Sequence, residues 1–585
     1  MGDKCPHCGN KSEKIRISPP GDVRPAFKGD YSILKESMGR IVKLDDRFFE
    51  SPILLNHVSY IDRMDEIIMD SYIIGSLRFV PNKQEFEFVF SAEGAKLVFS
   101  YIAYEERDFR RVIKRFKHIV VDKIAGEKIS QGYNVLAPGV ISFSEFEVGD
   151  EVFVFSEEGC LVGVGRTRVN SQELNKMSRG IVAKNRIKKL RLSIDETSVI
   201  YREFERLRKN LKSLCEKAHL KDDLSSLYLK EYDPFRLFPD NIRKAWRVIT
   251  YYNKPHLLDI EKEAINFIKT TIKDDSSPIT VSFSGGKDSI VILEITRRAC
   301  EKWIIFFIDT GIEFPETSIY ARCILKHIAK LYGDRIKRNL IKEYEVWLAN
   351  HIAYIRVPDK RFWRGIESLG LPAMDWRWCC KTNKLAPARQ LIRLIEPGQF
   401  CVVGVRRYES FSRAREGRIS YNPWTDQTNI YPIYNWNALE VWLYILLKRL
   451  PINPLYGEGF MRIGCWLCPA NHLSDLMLLK RMHPDLHTKL EKYIEWALDV
   501  FGIRGEGRVL VKKLGLWRWM RAPKKIIERG IKFRPIKKVV EIIDVPDENR
   551  SIIKINNWDE SLKELIKTLL KAFSDDFEIL ESKNK

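Results

Sequence analysis

The chain has 585 residues, 45% hydrophobic and 30% charged, which is the balance of a folded globular protein of about three to five domains and excludes a disordered one. Lysine and arginine number 99 against 78 aspartates and glutamates, and the resulting formal charge of +21 points to a polyanionic partner. No run approaches the ~20 apolar residues of a membrane helix, Met1–Cys5 opens no signal-peptide core, and 11 cysteines partly in tight pairs suggest metal or redox chemistry in a cytoplasmic chain, not a disulfide framework.

The first element is a knuckle, Cys5-Pro6-His7-Cys8, which is half of a zinc site; its other ligands would be distant, such as His57, or lie on a knuckle upstream. Strand patterns follow at Ser76–Val80 and at Glu85–Phe90, where charge and aromatic alternate as in a half-buried strand. From Ile119 to about Leu190 short strands such as Val152–Phe155 and Leu161–Gly165, separated by glycine turns, predict a small β-barrel. A charged stretch, Asp195–Lys230, contains the Arg202–Leu207 pattern of an exposed helix. Beyond Pro255, apolar strands at Ile279–Phe283, Trp303–Ile308 and Phe400–Val405 alternate with helices, which predicts a parallel sheet covered on both faces. Asn437-Ala438-Leu439-Glu440 reads as a helix capping box. Last come a basic segment, Arg504–Lys538, and an acidic amphipathic helix near Asp559–Phe573. In the basic segment Lys512, Lys513, Arg518, Arg521, Lys524 and Lys525 interleave with Trp517 and Trp519, a pattern that suits a nucleic-acid strand as well as it suits a solvated helix over core tryptophans.

The most informative string is Ser284-Gly285-Gly286-Lys287-Asp288-Ser289, between a buried strand and a helix. Its glycines let backbone N–H groups face an anion, the helix N-terminus adds partial positive charge, and Lys287, Ser284 and Ser289 supply charge and donors. The spacer of a Walker A loop is missing. This string resembles the pyrophosphate loop (PP-loop) of the adenine-nucleotide α-hydrolase superfamily. The string Asp309-Thr310-Gly311-Ile312-Glu313-Phe314-Pro315-Glu316-Thr317 narrows the resemblance to the adenylyl-sulfate and phosphoadenylyl-sulfate (PAPS) reductase family, over about Ser276–Ala470. The resemblance implies a Rossmann-like sheet with ATP or an adenylyl nucleotide at its strand ends, with magnesium an accompanying expectation. Candidate nucleotide-binding residues are Ser284, Gly285, Gly286, Lys287, Asp288, Ser289, Asp309, Thr310, Gly311, Arg406 and Arg413; Lys287 and Asp309 are the candidate catalytic residues. Arg406 and Arg413 are chosen because guanidinium forks suit phosphate, while Arg407, Arg415 and Arg418 read as facing water.

Cys379-Cys380 and Cys465-Trp466-Leu467-Cys468 form a pair-plus-pair layout that suits an iron–sulfur cluster, zinc or plain reduced thiols. Adjacent cysteines diverge and are awkward for tetrahedral zinc. The resemblance favours a 4Fe-4S cluster on Cys379, Cys380, Cys465 and Cys468, because that arrangement holds one in the iron–sulfur branch of the reductases. Cys160, Cys215, Cys300, Cys323 and Cys401 read as isolated buried residues. The family's reductases attack sulfur with a cysteine near the C-terminus, and no cysteine follows Cys468 here.

Asn134–Val140, Val148–Val152, Gly163–Arg166 and Gly180–Ala183 together resemble the PUA domain of RNA-modifying enzymes, with Ala137–Val140 fitting the RNA-facing edge and Arg166 beside a glycine turn. The expected organisation is a multidomain α/β and β protein: a knuckle at 1–26, an α/β pre-PUA module at 27–117, a PUA pseudo-β-barrel at 118–193, and a helical connector at 194–255. A Rossmann-like PP-loop domain with a parallel sheet follows at 256–475, and a basic helical region at 476–585. The expected function is adenylation and sulfur transfer on a structured RNA, tRNA or rRNA, with a sulfur or electron donor and no membrane. The alternatives are a sulfonucleotide reductase and a non-catalytic RNA-binding protein.

Overall fold

The structure is a computed structural model and describes residues 15–60, 62–217, 220, 224–272, 277–338, 341, 343–410, 412–500 and 503–519, with the backbone of strands Val540–Val545 and Arg550–Ile555. Cys5, Cys8, Arg521, Lys524, Lys525 and the helix expected near Asp559–Phe573 lie outside the described residues. The chain divides into two compact units, one formed by 1–80, 85–221 and 235–254, the other by 81–84, 222–234 and 255–585.

In the first unit, strands β1 (Val23–Pro25), β2 (Ile53–His57), β3 (Met64–Met69), β4 (Tyr72–Val80) and β5 (Glu85–Phe90) form an antiparallel sheet in chain order. In β5 the charge–aromatic alternation maps onto alternate burial, with Phe86, Phe88 and Phe90 all buried. Helix Ala92–Glu106 starts on a Ser91 cap that accepts from Gly94 N–H, and it packs on helix Thr197–Lys217. That second helix is less exposed than its charge suggests, since Phe204 is buried against Phe48. The core holds a charge network: Arg63, fully buried, donates to Asp30 Oδ1 at 2.7 Å and to Asp65 Oδ2 at 2.8 Å, and Arg24 also holds Asp30. His57 Nδ1 lies 3.2 Å from Asp65, which ties that side chain into the same network.

The PUA region folds as expected into one curved sheet. Its strands are β6 (His118–Val121), β7 (Val135–Leu136), β8 (Val140–Phe143), β9 (Glu151–Ser156), β10 (Cys160–Thr167), β11 (Ile181–Asn185) and β12 (Leu192–Ser193). They run in the order β7-β11-β10-β9-β6-β8, with β12 on β10, around a core that includes Ile119, Val135, Val152, Val154, Val162 and Val182. Tyr133, Leu136 and Ile181 remain exposed along the β7–β11 edge, where Leu136 pairs with Ile181. Arg166 bonds Gly149 O at 2.7 Å and the Glu87 carboxylate at 2.9 Å, so it is committed within the unit.

The second unit is built on an eight-stranded sheet. Its strands are β13 (Ile279–Phe283), β14 (Trp303–Asp309), β15 (Lys337–Arg338), β16 (Glu345–Leu348), β17 (Ile352–Arg356), β18 (Phe400–Val402), β19 (Ile419–Asn422) and β20 (Gln427–Ile430), in the order β15-β16-β17-β14-β13-β18-β20-β19. The centre is parallel, as the apolar strands predict, but both edges turn antiparallel, at β15–β16–β17 and at β19–β20. The strand expected to reach Val405 ends at Val402, because the chain leaves the sheet to bring Gly404 against the Asp288 backbone, where a Cβ would sit 3.0 Å away. The capping box forms as read, with Asn437 Oδ1 accepting from Glu440 N–H and Glu440 Oε2 from Asn437 N–H. Trp517 and Arg518 are buried, and Lys512 is paired with Glu491 and Glu495, so these three belong to the packing of the fold and not to a stacking platform. Cys300 and Cys323 are partly exposed, unlike the buried Cys160, Cys215 and Cys401.

Removing Arg63 takes the shared cation from two buried carboxylates and leaves Asp30 with Arg24 and Asp65 with His57, so Arg63→Met is expected to cost about 3 kcal/mol in urea unfolding of the full chain. Burial alone would raise both acids, yet Arg24 and Arg63 hold Asp30, and Arg63 and His57 hold Asp65, below the ordinary carboxylate range. Their contribution is therefore complete above about pH 4, the unfolded range, and is lost as pH falls through the lowered folded values. The stability gap between wild type and variant is expected to narrow in acid.

Candidate active site

Three neighbouring parallel strands, β14, β13 and β18, end side by side, and each releases one part of the site. Chain order reverses here, since β14 and β17 continue on one side of β13 while β18 and β20 lie on the other. Such a switch point opens a crevice at the carboxyl ends of the strands. After β13 the chain turns through Gly285 at φ +74°, a conformation that favours glycine, and Gly286 caps helix Lys287–Ala299. Ser289 Oγ donates to Gly286 O at 2.8 Å and lies 3.4 Å from Ser284 Oγ.

Asp288 ties this loop together. Its carboxylate accepts from Lys287 Nζ at 2.5 Å and from Arg406 Nε at 2.6 Å, and Arg406 is 1% exposed. Burial alone would raise the Asp288 pKa, but the Arg406 and Lys287 charges hold it below the usual range. Arg406 thus reaches the loop from the end of β18. Arg413, on the following turn, pairs with Glu409, and Arg418 pairs with Glu263 at 2.6 Å.

Asp309, at the end of β14, is held from three directions: Gly311 N–H at 3.0 Å, Ser318 Oγ at 3.0 Å and Tyr354 OH at 3.2 Å. Gly311 has φ +81°, and a Cβ there would meet Val357 O at 2.5 Å. Thr310 Oγ1 donates to Glu313 Oε1 at 2.9 Å and lies 3.4 Å from Cys465 Sγ, which is also 3.4 Å from Glu313 Oε1. Backbone bonds join the same loop to the second cysteine pair, from Phe314 N–H to Gly464 O at 2.9 Å and from Trp466 N–H to Ile312 O at 3.1 Å. Burial pushes the Glu313 carboxyl up to about 7, the Asp309 charge adds to this, and Lys384 opposes it.

The first cysteine pair sits on helix Trp378–Cys380, which continues through a π-helical turn, Lys381–Leu385, into helix Ala386–Ile395. Such turns occur frequently at functional sites. The four thiols share one neighbourhood, because Cys379 lies within electrostatic reach of Cys380, Cys465 and Cys468. The Cys379 thiol is pushed up by its hydrogen bond to Cys380, then by burial; Cys380 is pulled down to about 6 by that bond, against burial, with help from Lys384 and Arg377. Among the described residues no group of three or more His, Cys, Asp or Glu is arranged around a single ion. The donor set, four thiols with two adjacent on one helix, fits a multi-iron cluster, in which each ligand takes its own iron.

Three contributors escape a reading of motifs. Tyr456 OH, 169 residues beyond the loop, accepts from Lys287 N–H at 3.1 Å, and only folding brings it there. Tyr354 belongs to a strand that reads as core. Lys384 has a legible signal, because it follows Cys380 by four residues, the spacing of one helical face.

Residues 278–471 match the phosphoadenosine phosphosulfate reductase domain, and residues 117–188 match the PUA domain. The chain is 32% identical over 527 residues to an uncharacterized protein of Methanocaldococcus jannaschii, covering 89% of this chain and 94% of that protein. It is 25% identical over 207 residues to phosphoadenosine 5′-phosphosulfate reductase of Gloeobacter violaceus, covering 35% of this chain and 76% of the relative. A solved structure of PAPS reductase from Candida auris, in a phosphate complex, aligns with 36% of this chain and 95% of its own at 18% identity and a TM-score of 0.26. The chain belongs to the family of the Methanocaldococcus jannaschii protein and joins a PUA domain to a phosphoadenosine phosphosulfate reductase domain.

Proposed function

We propose that this protein is an RNA-directed enzyme that binds ATP or a related adenylyl nucleotide at the Ser284–Ser289 loop and activates an RNA oxygen by adenylation. The observation that carries the reading is the meeting of Lys287, Asp288 and Arg406 at the switch point of the sheet, beside Asp309. An RNA oxygen bonds to the α-phosphorus as the bond to the departing β-phosphate oxygen breaks, and pyrophosphate leaves into the loop. Lys287, the N–H groups at the helix start and the Ser284 and Ser289 hydroxyls stabilise that developing charge. Asp309, fixed by three donors, would orient the nucleotide or its magnesium. A sulfur nucleophile then displaces AMP from the activated position. Cys379, Cys380, Cys465 and Cys468 would hold a 4Fe-4S cluster, which supplies sulfur-handling chemistry when bound. The PUA domain supports RNA as the acceptor, with the exposed Tyr133, Leu136 and Ile181 edge available to it.

A second reading, reduction of a sulfonucleotide, is favoured by the names of reductase relatives such as that of Gloeobacter violaceus, which acts on phosphoadenosine 5′-phosphosulfate. The two differ in what they release. Radiolabelled pyrophosphate is expected to exchange into ATP only when bulk tRNA or rRNA is present, and Lys287→Ala is expected to lower that exchange by about 10²–10³-fold. Sulfite release from adenylyl sulfate or PAPS without any exchange would overturn the adenylation reading. Tyr456→Phe leaves the Lys287 N–H without its hydroxyl partner, and ATP is expected to bind about tenfold more weakly in equilibrium titration, with the melting temperature little changed.

A further inference from the structure

We propose that the cavity at the amino ends of β13, β14 and β17 is a second ligand site, for a small phosphate monoester held by Arg335, Lys337 and His351. It lies at the opposite end of the sheet from the phosphate loop. The seven residues of β14, at about 3.3 Å each, put roughly 20 Å between the two. The cavity has a volume of about 500 Å³, within the range of small-molecule sites. Its apolar wall includes Leu348, Leu394 and Ile395, and its charged lining sets Lys302, Arg335 and Lys337 against one carboxylate, Glu301.

His351 is the fixed point of this lining. Its ring stacks on Tyr332 with centroids 4.3 Å apart and lies 4.9 Å from the ring of Trp303. Its Nδ1 is 3.2 Å from Asp334 Oδ2, and the same oxygen accepts from the His351 backbone N–H at 2.9 Å. The Asp334 side chain is 1% exposed, so its carboxylate is taken up by this histidine and sets the orientation of the ring. An imidazole held by a carboxylate at Nδ1 has Nε2 left for a ligand, and Nε2 has no partner among the described residues. Arg335 follows Asp334 directly, and β15 pairs with β16 so that Lys337 stands opposite Leu348, three residues before His351. Among the described residues no hydrogen bond or ion pair engages the side chains of Arg335, Lys337 or Asn350, which also lines the cavity.

Donors gathered at one cavity without an acceptor call for an oxyanion. A guanidinium, an ammonium and an imidazole exceed the single charge of a carboxylate and match a phosphate dianion, which the guanidinium bonds as a fork. The apolar wall gives room for an organic body beyond the phosphate, which a bare ion would not fill. The inference stands apart from the adenylation reading, and the failure of one leaves the other untouched.

The test is carbethoxylation of His351 by diethyl pyrocarbonate in the full chain, read by peptide mass spectrometry, with phenyl phosphate as the probe. Phenyl phosphate is expected to slow the reaction at His351 and to leave that at His256, which is exposed elsewhere, unchanged. In the Arg335→Ala/Lys337→Ala double variant the half-protecting concentration is expected to rise at least about tenfold, with the melting temperature unchanged because both side chains are exposed. Lys287→Ala is expected to keep the wild-type protection. Protection lost in Lys287→Ala would place the probe at the phosphate loop and would overturn the proposal. Equal protection by sodium chloride at matched ionic strength, or none by phenyl phosphate, would overturn it too. Protection by a 5′-phosphorylated oligouridine at a lower concentration than phenyl phosphate would assign the cavity to an RNA end, against a small ligand.

Discussion

The site depends on one carboxylate. Asp288 accepts from its neighbour Lys287 and from Arg406, 118 residues away, and so fastens the phosphate loop to the end of β18. Asp288 is half-buried, and Arg406 also lies 3.9 Å from Glu409, so the two cations are fixed by carboxylates and the geometry of the loop stays set. Under the proposed adenylation, a loop prepared in this way would meet a polyphosphate without reorganising, which is the condition under which electrostatic stabilisation of a departing pyrophosphate is most effective. Gly404 belongs to the same arrangement, because a side chain there would push against the Asp288 backbone.

The segment Asp309–Phe314 links the two chemistries. One end is locked by Gly311, Ser318 and Tyr354 at the crevice where the parallel strands end, and the other touches Cys465 through Thr310 and Glu313 and pairs with the Gly464–Trp466 backbone. The end of β14, beside that of β13, and the cysteine group are thus joined through one segment. The PUA domain and the excess of basic residues suit a polyanionic partner.

Much of this is legible because local patterns carry it. The alternation in Glu85–Phe90 becomes a strand with alternate burial, the apolar runs become β13 and β14, and Asn437–Glu440 becomes a capping box. Ser284–Gly286 sits between the strand and the helix that starts at Lys287, as its glycines require. What sequence does not yield depends on distant residues. Tyr456 reaches the loop only through the folded turn after helix Ala438–Lys448, and the edge strands turn antiparallel for reasons no local period encodes. Trp517, set among basic residues, suits stacking and core equally well by pattern; its burial is a property of the packing around it. Arg166 lies beside a glycine turn, but its partner Glu87 lies outside the PUA motifs altogether.

Both proposed readings, adenylation and sulfonucleotide reduction, require an adenine nucleotide to bind where β14, β13 and β18 end. Hydrogen–deuterium exchange of the full chain, with and without saturating ATP, reads that binding at the level of single segments. Exchange is expected to slow at the amides of 284–290 and 404–407, with the β7–β11 edge of the PUA domain unaffected. ATP binding that leaves both of those segments unprotected would contradict a nucleotide site at these strand ends.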